Sequence, residues 1–204
     1  MAYLEIDPAA QTSRENYFLL TGLVVPRPIA WVSSLSENGV RNLAPHSYFN
    51  IVSSDPPIVH FTQTGRKDTL TNVETTGEFV INFVSVELAE AMNLTAADFP
   101  HDEDEFAWAG LEAAASTRVS PPRVAAVRAA FECRVRTILE MGNGNMVFGD
   151  VVAVHVDESV FRDGRVDMAR LAAVGRLGGS WYSAVDDPFR LDRPTWANLR
   201  RATE

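Results

Sequence analysis

The sequence predicts a mainly β domain with short helices, folded as a small closed antiparallel barrel. Apolar runs of strand length recur at short intervals and are separated by turn residues. Residues 130–140 alternate between apolar and charged side chains, and residues 146–156 return after a turn at 141–145, which is typical of a long hairpin. No strand-like run is followed promptly by a long amphipathic helix, which disfavours a parallel α/β sheet. Closure is expected because it removes exposed strand edges.

The first half predicts short strands on either side of a polar loop. Strands are expected over residues 29–34, 40–43 and 57–62, and an Asn-Gly hairpin turn joins the first two. Residues 44–55 match the alternation of a strand poorly and end at a double proline. They therefore predict an ordered loop with one short helical turn.

Two short helices and another strand are expected after this loop. Residues 68–76 predict a helix that Asp68 or Thr69 caps and that the following glycine ends. Residues 78–84 alternate and are rich in Phe, Val and Ile, which predicts a strand, whereas residues 86–94 have helical spacing.

Length and composition predict a single domain over residues 1–204, with a core at about 17–185 and a polar C-terminal extension. The formal net charge of −9 leaves no general basic field for nucleic acid. No apolar run reaches the roughly 20 residues of a membrane helix, and the first residues lack the pattern of a secretory signal. The single cysteine, Cys133, permits no internal disulfide, so we expect a cytoplasmic protein.

Common catalytic and metal motifs are missing from the sequence. It contains no G-x-S-x-G, Walker A or G-x-G-x-x-G pattern. The four histidines do not have the spacing of metal ligands, so no metal site is expected. The acidic run at 102–105 lacks the spacing of a calcium loop and is interpreted as a solvated charged segment.

The stretch from Arg27 to Thr69 carries the strongest candidate for a binding site. Its basic turn, residues 65–69, places two cations and a hydroxyl at the start of the predicted helix, where free N–H groups and the helix dipole attract an anion. Ser47 and Asn50 can add donors. We therefore hypothesise a site for a flat, phosphorylated cofactor. From this turn alone, a solvated turn with a helix cap remains the alternative.

The same stretch is rich in hydroxyl and amide side chains that can bond the polar edge of a heteroaromatic ring. They are Ser33, Ser34, Asn42, Ser47, Asn50, Ser53 and Ser54. Apolar contact with such a ring can come from Trp31, Tyr48, Phe49 or Trp181. The alternative is that the serines cap turns and the aromatic residues belong to the core.

Several motifs in a fixed order resemble the flavin reductase-like family of FMN-binding split-barrel proteins, which includes flavoredoxins. The motifs are PRPIAWVSSLSENGVRNLAPHSYFN, VSSDPPIVHF, RKDTLTNVETTGEFVINFVS, DEFAWAGL, AAFECRV, MVFGDVVAVHVDE and GRLGG, followed by Tyr182. The resemblance runs from about Gly22 to Tyr182. It implies a six-stranded antiparallel Greek-key split barrel that pairs as a homodimer, with FMN bound near the subunit interface.

The resemblance also implies a set of cofactor-binding residues. Ser33, Ser34 and Leu35 would run beside the isoalloxazine ring. Pro45, His46, Ser47 and Asn50 would wrap the ring and the phosphate. Arg66, Lys67 and Thr69 would complete the phosphate site, with Arg27 as a further contributor. The resemblance assigns no catalytic acid or base, because the flavin carries the chemistry.

The activity that the resemblance implies is NAD(P)H-dependent flavin reduction. Reduced FMN would pass electrons to free flavin, a ferric complex, oxygen or a partner oxygenase. The alternatives are an FMN electron carrier without enzymatic activity and a barrel that binds another ligand or none. Two positions depart from the expected pattern: His46 stands where relatives carry another residue, and the turn at 142–145 lacks a histidine associated with flavin or nicotinamide contact.

Overall fold

The protein is mainly β, and a computed structural model describes residues 1–201. The strands are β1 Arg27–Pro28, β2 Ala30–Leu35, β3 Arg41–His46, β4 Phe49–Ser54, β5 Pro57–Thr64, β6 Glu78–Phe83, β7 Ala113–Ala114, β8 Arg123–Val124, β9 Ala129–Met141, β10 Gly144–Val156, β11 Phe161–Arg162, β12 Arg165–Val166, β13 Val174–Arg176 and β14 Tyr182–Ala184. The α-helices are α1 Ser13–Leu23, α2 Asp68–Thr76, α3 Ala89–Leu94, α4 Glu105–Trp108, α5 Met168–Leu171 and α6 Trp196–Arg201. Two 3₁₀ turns lie at Pro8–Ala10 and Val86–Leu88.

Seven antiparallel strands form the main sheet in the order β3-β2-β6-β9-β10-β5-β4. The two edge strands, β3 and β4, are consecutive in the chain and are joined only by Ser47 and Tyr48. Because two residues span only a short distance, the sheet curls until its edges approach each other. No ladder pairs β3 with β4 in the described chain. The closed six-strand count therefore stays a prediction, whereas the antiparallel, sheet-rich class is confirmed.

The inside of the curled sheet is filled by large apolar side chains. Phe61, Phe79, Leu70 and Val73 are fully buried there, so α2 closes one side of the core. Gly149 of β10 lies directly under Phe79, and a Cβ at that position would be 2.4 Å from the ring. A glycine is therefore required for the close packing of the strand against the ring.

Local patterns predicted most elements correctly, and the prediction for residues 44–55 was wrong. Helix α2 has the predicted bounds, and the left-handed Gly77 ends it. Residues 44–55, however, are strand in β3 and β4 rather than a loop with a helical turn. Along β4 the consecutive residues Asn50, Ile51 and Val52 are all exposed, so burial does not alternate there and the strand pattern is lost.

Helices lie near both ends of the described chain. Helix α1 begins with a reciprocal capping box, in which Thr12 and Glu15 satisfy each other's backbone amides. After Ala184 the described residues include no strand, and the last of them belong to α6. The single domain with a core at 17–185 and a polar extension stays a prediction. None of the described helices is long and apolar enough to cross a membrane.

Candidate functional site

A cavity of about 540 Å³ opens where β3, β5, α2 and the segment 95–99 meet. Its volume lies within the range of small-molecule sites. The short link between β3 and β4 forms one wall, and the first residues of α2 form another. The curling of the sheet thus brings together parts of the chain that are distant in sequence.

Five of the predicted cofactor-binding residues line this cavity. They are Pro45, His46, Ser47, Lys67 and Thr69. The first three stand at the end of β3 and in the link to β4, whereas the other two stand at the start of α2. The predicted loop and the predicted basic turn therefore do meet at one site.

Arg27 supports the cavity from behind and does not line it. It is 7% exposed, and its guanidinium donates hydrogen bonds to the carbonyls of Thr21 and Val24 at 2.6 Å and to Leu177 at 2.9 Å. A longer bond of 3.4 Å reaches Ser47 Oγ. Arg27 thus ties α1 and the segment 175–179, GRLGG, to the cavity wall.

The remaining predicted residues are outside the lining. Ser33 is fully buried and donates to the carbonyl of Pro122 at 2.5 Å. Ser34 is buried, Leu35 is half-buried, and Asn50 is exposed and accepts the amide of its neighbour Ile51. Arg66 points to solvent, where it forms an ion pair with Glu74. Their contacts with a cofactor stay predictions.

The start of α2 leaves free donors at the cavity. Lys67 occupies the N-cap position and makes no capping hydrogen bond with its side chain. Gln63 Oε1 accepts the amide of Leu70 at 3.2 Å, and the structure shows no side-chain acceptor for the amides of Asp68 and Thr69. Uncapped N–H groups at the start of a nine-residue helix attract an anion. Asp68 or Thr69 was the predicted cap, and this prediction was wrong.

Lys67 is the cation that accompanies these amides. Its ammonium lies 2.5 Å from Asp98 Oδ1, on the segment that forms the opposite wall. Both side chains are largely exposed, so the pair is weak and exchangeable. Lys67 can therefore leave Asp98 and bind an anionic ligand at the start of α2.

His46 presents a neutral imidazole at the same cavity. Burial and the nearby charge of Lys67 lower the pKa of His46 to about 4. Its ring packs against Phe61 with a centroid distance of 4.8 Å, and its buried Nε2 has no hydrogen-bond partner. An unpartnered buried nitrogen is costly, so it is suited to bind a polar group of a ligand.

Several lining residues were not among the predicted binding residues. Tyr17, Gln63, Phe99 and Glu105 come from four separate segments, and each contributes to the wall. Glu105 is 4% exposed, and burial and the neighbouring charge of Asp68 raise its pKa. Its motif, DEFAWAGL, was the only sequence signal for it, because nothing local shows which loop residue a fold will turn inward.

The aromatic candidates divide between the core and the cavity. Tyr48 lines the cavity together with Tyr17 and Phe99. Trp31 is fully buried and donates to Thr95 Oγ1 at 2.9 Å, and Phe49 belongs to the core. Trp181 is 76% exposed and does not line the cavity.

The fold is mainly β, and its cavity is lined by the uncapped start of α2, by Lys67 and by aromatic side chains. The chain belongs to the flavin reductase like domain family, whose pattern matches residues 22–170. An uncharacterized protein of Deinococcus radiodurans is 40% identical over 210 residues, covering 97% of this chain and 92% of the relative. The family resemblance of the sequence motifs is therefore confirmed.

Solved structures show the same fold. Nitrilotriacetate monooxygenase component B from Bacillus cereus is 36% identical, with a TM-score of 0.92 over 94% of this chain and 100% of that one. The 2-nitrobenzoate 2-nitroreductase of Pseudomonas fluorescens is also 36% identical, with a TM-score of 0.89 over 95% and 98%. A Shewanella frigidimarina protein with a split barrel domain has a TM-score of 0.83 over 91% and 96% at 23% identity, which concerns the fold alone.

Proposed function

We propose that this protein binds FMN and is an NAD(P)H-dependent flavin reductase. The observation that carries the proposal is the uncapped start of α2 beside Lys67, within a cavity of a flavin reductase like domain. A phosphate monoester matches this end of the cavity, because it accepts hydrogen bonds from amides and an ammonium group at once.

The residues present fit the rest of an FMN molecule. Tyr17, Tyr48 and Phe99 provide aromatic surface for a flat ring, and His46 Nε2 provides an unpartnered polar atom. When bound, FMN would accept hydride from a reduced nicotinamide and release electrons singly or in pairs. This chain's own residues would bind and orient the flavin and hold water away from it. The catalytic contribution expected of the protein is therefore positioning.

The proposed electron acceptor follows from two solved structures that are each 36% identical in sequence to this chain. One is component B of a monooxygenase, which favours transfer through reduced flavin to a partner oxygenase or to oxygen. The other is a nitroreductase, which favours direct reduction of a nitroaromatic acid as a second candidate function. Free flavin and a ferric complex are further possible acceptors, and an electron carrier without enzymatic activity is the alternative.

A homodimer in the cytoplasm is part of the proposal. Leu20 and Leu23 of α1 are 58% and 72% exposed, and Ile51 of β4 is 69% exposed. Large apolar side chains that are exposed on α1 and on β4 are typical of a surface that a second subunit covers. Tyr17 lies on the same helix and also lines the cavity, so this surface would adjoin the flavin.

Anaerobic mixing of the FMN-loaded protein with NADH or NADPH tests the reductase. Bleaching of the flavin absorbance by at least one donor, at a rate that supports turnover with added flavin or 2-nitrobenzoate, is the expected result. A protein that binds FMN but is reduced by neither donor would be a carrier. A protein with no affinity for FMN would contradict the whole proposal.

Lys67→Ala tests the phosphate site. We expect FMN to bind about 10- to 100-fold more weakly, because a charge-assisted bond is lost, whereas riboflavin binding should be unchanged. Fluorescence titration of both ligands measures the difference. Arg136→Ala is the matched control, since Arg136 is a half-exposed cation that pairs with Asp150 outside the cavity lining. An equal loss for FMN and riboflavin would show that the phosphate binds elsewhere.

A further inference from the structure

A chain of buried polar side chains runs from α2 to the cavity wall at Glu105. Thr69 donates its hydroxyl proton to Asn42 Oδ1 at 2.9 Å, and Asn42 Nδ2 donates to Glu105 Oε1 at 2.8 Å. A second branch runs from Asn72 Nδ2 to Ser34 Oγ at 3.1 Å and from that hydroxyl to Asn42 Oδ1 at 3.2 Å. All five side chains are buried, and Asn42, Thr69 and Glu105 also line the cavity.

Glu105 determines the direction of every bond in this chain. Its Oε2 accepts the amide of Leu43 at 3.1 Å and its Oε1 accepts Asn42 Nδ2, so both oxygens of this carboxylate face donors and act as acceptors. Asn42 must therefore turn its NH₂ group toward Glu105 and its carbonyl oxygen toward the two hydroxyls. Thr69 therefore donates its single hydroxyl proton to Asn42 Oδ1.

Thr69 lines the cavity, and the direction of its bond decides what it offers a ligand. A hydroxyl whose proton is already used can only accept a hydrogen bond from a ligand. The neighbouring groups on this wall are the carboxylates of Glu105 and Asp68, which also accept. The cavity thus has an accepting wall here and a donating region at Lys67 and the amides of α2.

The charge of Glu105 has no cationic partner in the described part of the chain. Arg41, on the adjacent strand β3, instead binds Asp104 and lies over the ring of Phe106. A buried carboxylate without a cation lowers stability, and such groups are concentrated at functional sites. The carboxylate is therefore better explained by its effect on the cavity than by a contribution to folding.

We propose that Glu105 is a positioning residue that, through Asn42, holds the Thr69 hydroxyl as an acceptor for the hydroxyl groups of the flavin's ribityl chain. The inference rests on the proposed function, because FMN carries this polyol between its ring and its phosphate. Phosphate oxygens are acceptors, so this hydroxyl does not serve them, and the amides of α2 and Lys67 bind them instead. Glu105 thereby separates polyol recognition from phosphate recognition within one cavity.

Glu105→Gln tests the inference with a side chain of nearly the same shape. The amide can donate as well as accept, so Asn42 can rotate and the proton of Thr69 is released. We expect riboflavin to bind about tenfold more weakly, whereas lumiflavin, which has the ring but no polyol, should bind as before. Glu112→Gln, on an exposed carboxylate of the next segment, is the matched control and should change neither affinity.

The double variant with Thr69→Val shows whether Glu105 acts through this hydroxyl. Thr69→Val alone should weaken riboflavin by the same factor, and adding Glu105→Gln should cause no further loss. Additive losses, or equal losses for riboflavin and lumiflavin, would overturn the inference. If Glu105→Gln does not fold, Thr69→Ser should keep riboflavin binding and Thr69→Val should lose it, and equal affinities for the two would overturn it as well.

Failure of the inference and failure of the proposed function give different results. A wild-type protein that binds neither FMN nor riboflavin overturns the proposed function. A wild-type protein that binds both, with an unchanged ratio of riboflavin to lumiflavin affinity in Glu105→Gln, overturns only the role of Glu105.

Discussion

Glu132 and Glu105 are buried carboxylates in two regions of the molecule, and their surroundings shift the pKa in opposite directions. Glu132, on β9, is fully buried and accepts the amides of Thr117 at 2.7 Å and Arg118 at 2.5 Å, and His155 Nε2 lies 2.5 Å away. Burial acts to raise the pKa of Glu132, but these hydrogen bonds outweigh it and the pKa lies below its ordinary value.

Glu105 has fewer donors and a neighbouring carboxylate instead of a basic group. Burial and the charge of Asp68 keep its pKa above the ordinary value, despite the bonds from Asn42 and Leu43. The histidines of the two regions repeat the contrast. His155 is bonded to Glu132, whereas the buried Nε2 of His46 has no partner.

The difference shows which polar groups serve the fold and which are available to a ligand. Glu132 forms four hydrogen bonds within the protein, which tie β9 to the segment 117–118 and to β10. At the cavity, incompletely bonded polar groups reduce stability and retain the capacity to bind.

The largest effect is expected from Glu132→Ala. The change leaves two amides and His155 without their acceptor in a buried place, so the free energy of unfolding should fall by about 3–5 kcal/mol. Denaturant unfolding measures the loss, and the FMN affinity of the folded fraction should be unchanged. Glu140→Ala, at an exposed position of the same strand, is the control. A loss below about 1 kcal/mol would contradict the structural role of Glu132.

The next largest effect is the pH dependence of stability that His46 causes. The pKa of folded His46, about 4, lies below the unfolded value of about 6.5, so the unfolded chain binds a proton that the folded chain does not. Above pH 6.5 His46 is neutral in both states and does not affect stability. As the pH drops from 6.5 to 4, the unfolded chain takes up the proton first, so the free energy of unfolding should fall by about 2–3 kcal/mol, allowing for partial exposure of the ring.

The difference between wild type and His46→Gln isolates this contribution, since carboxylates titrate in both proteins. Denaturant unfolding at several pH values should show a weaker pH dependence in the variant between 6.5 and 4. His60→Gln is the control, and its free energy of unfolding should still fall between pH 6.5 and 4, because His46 is present. Parallel curves for wild type and His46→Gln would show that His46 becomes protonated without cost in the folded protein.

The smallest effect is expected from Asp98→Asn. The change frees Lys67 from a competing carboxylate, so FMN should bind more tightly, by no more than about fivefold, because exposed ion pairs are weak. Riboflavin should not respond, and high salt should remove the gain. Asp102→Asn, at an exposed acidic residue outside the cavity lining, is the control. Weaker FMN binding in Asp98→Asn would mean that Asp98 holds Lys67 in its binding position.

Elements with a complete local signal could be predicted from the sequence. Helix α2 has a glycine stop and helical spacing, and β9 alternates along its length, so neighbouring residues alone specify them. Strand β4 could not be predicted, because its consecutive residues Asn50, Ile51 and Val52 are all exposed and do not alternate between polar and apolar. A strand at the edge of a curled sheet need not bury alternate residues.

The mainly β class, the basic turn at the start of α2 and the family resemblance that joins this turn to the His46 segment could be inferred from the residues alone. Which polar groups already have hydrogen-bond partners is visible only in the folded chain. Ser33 and Ser34 form hydrogen bonds within the protein, with Pro122 and Asn42. Glu105, from an acidic segment distant in sequence, lines the cavity instead. Hydrogen-bond partners depend on contacts between segments far apart in the chain, and residue type and spacing do not specify them.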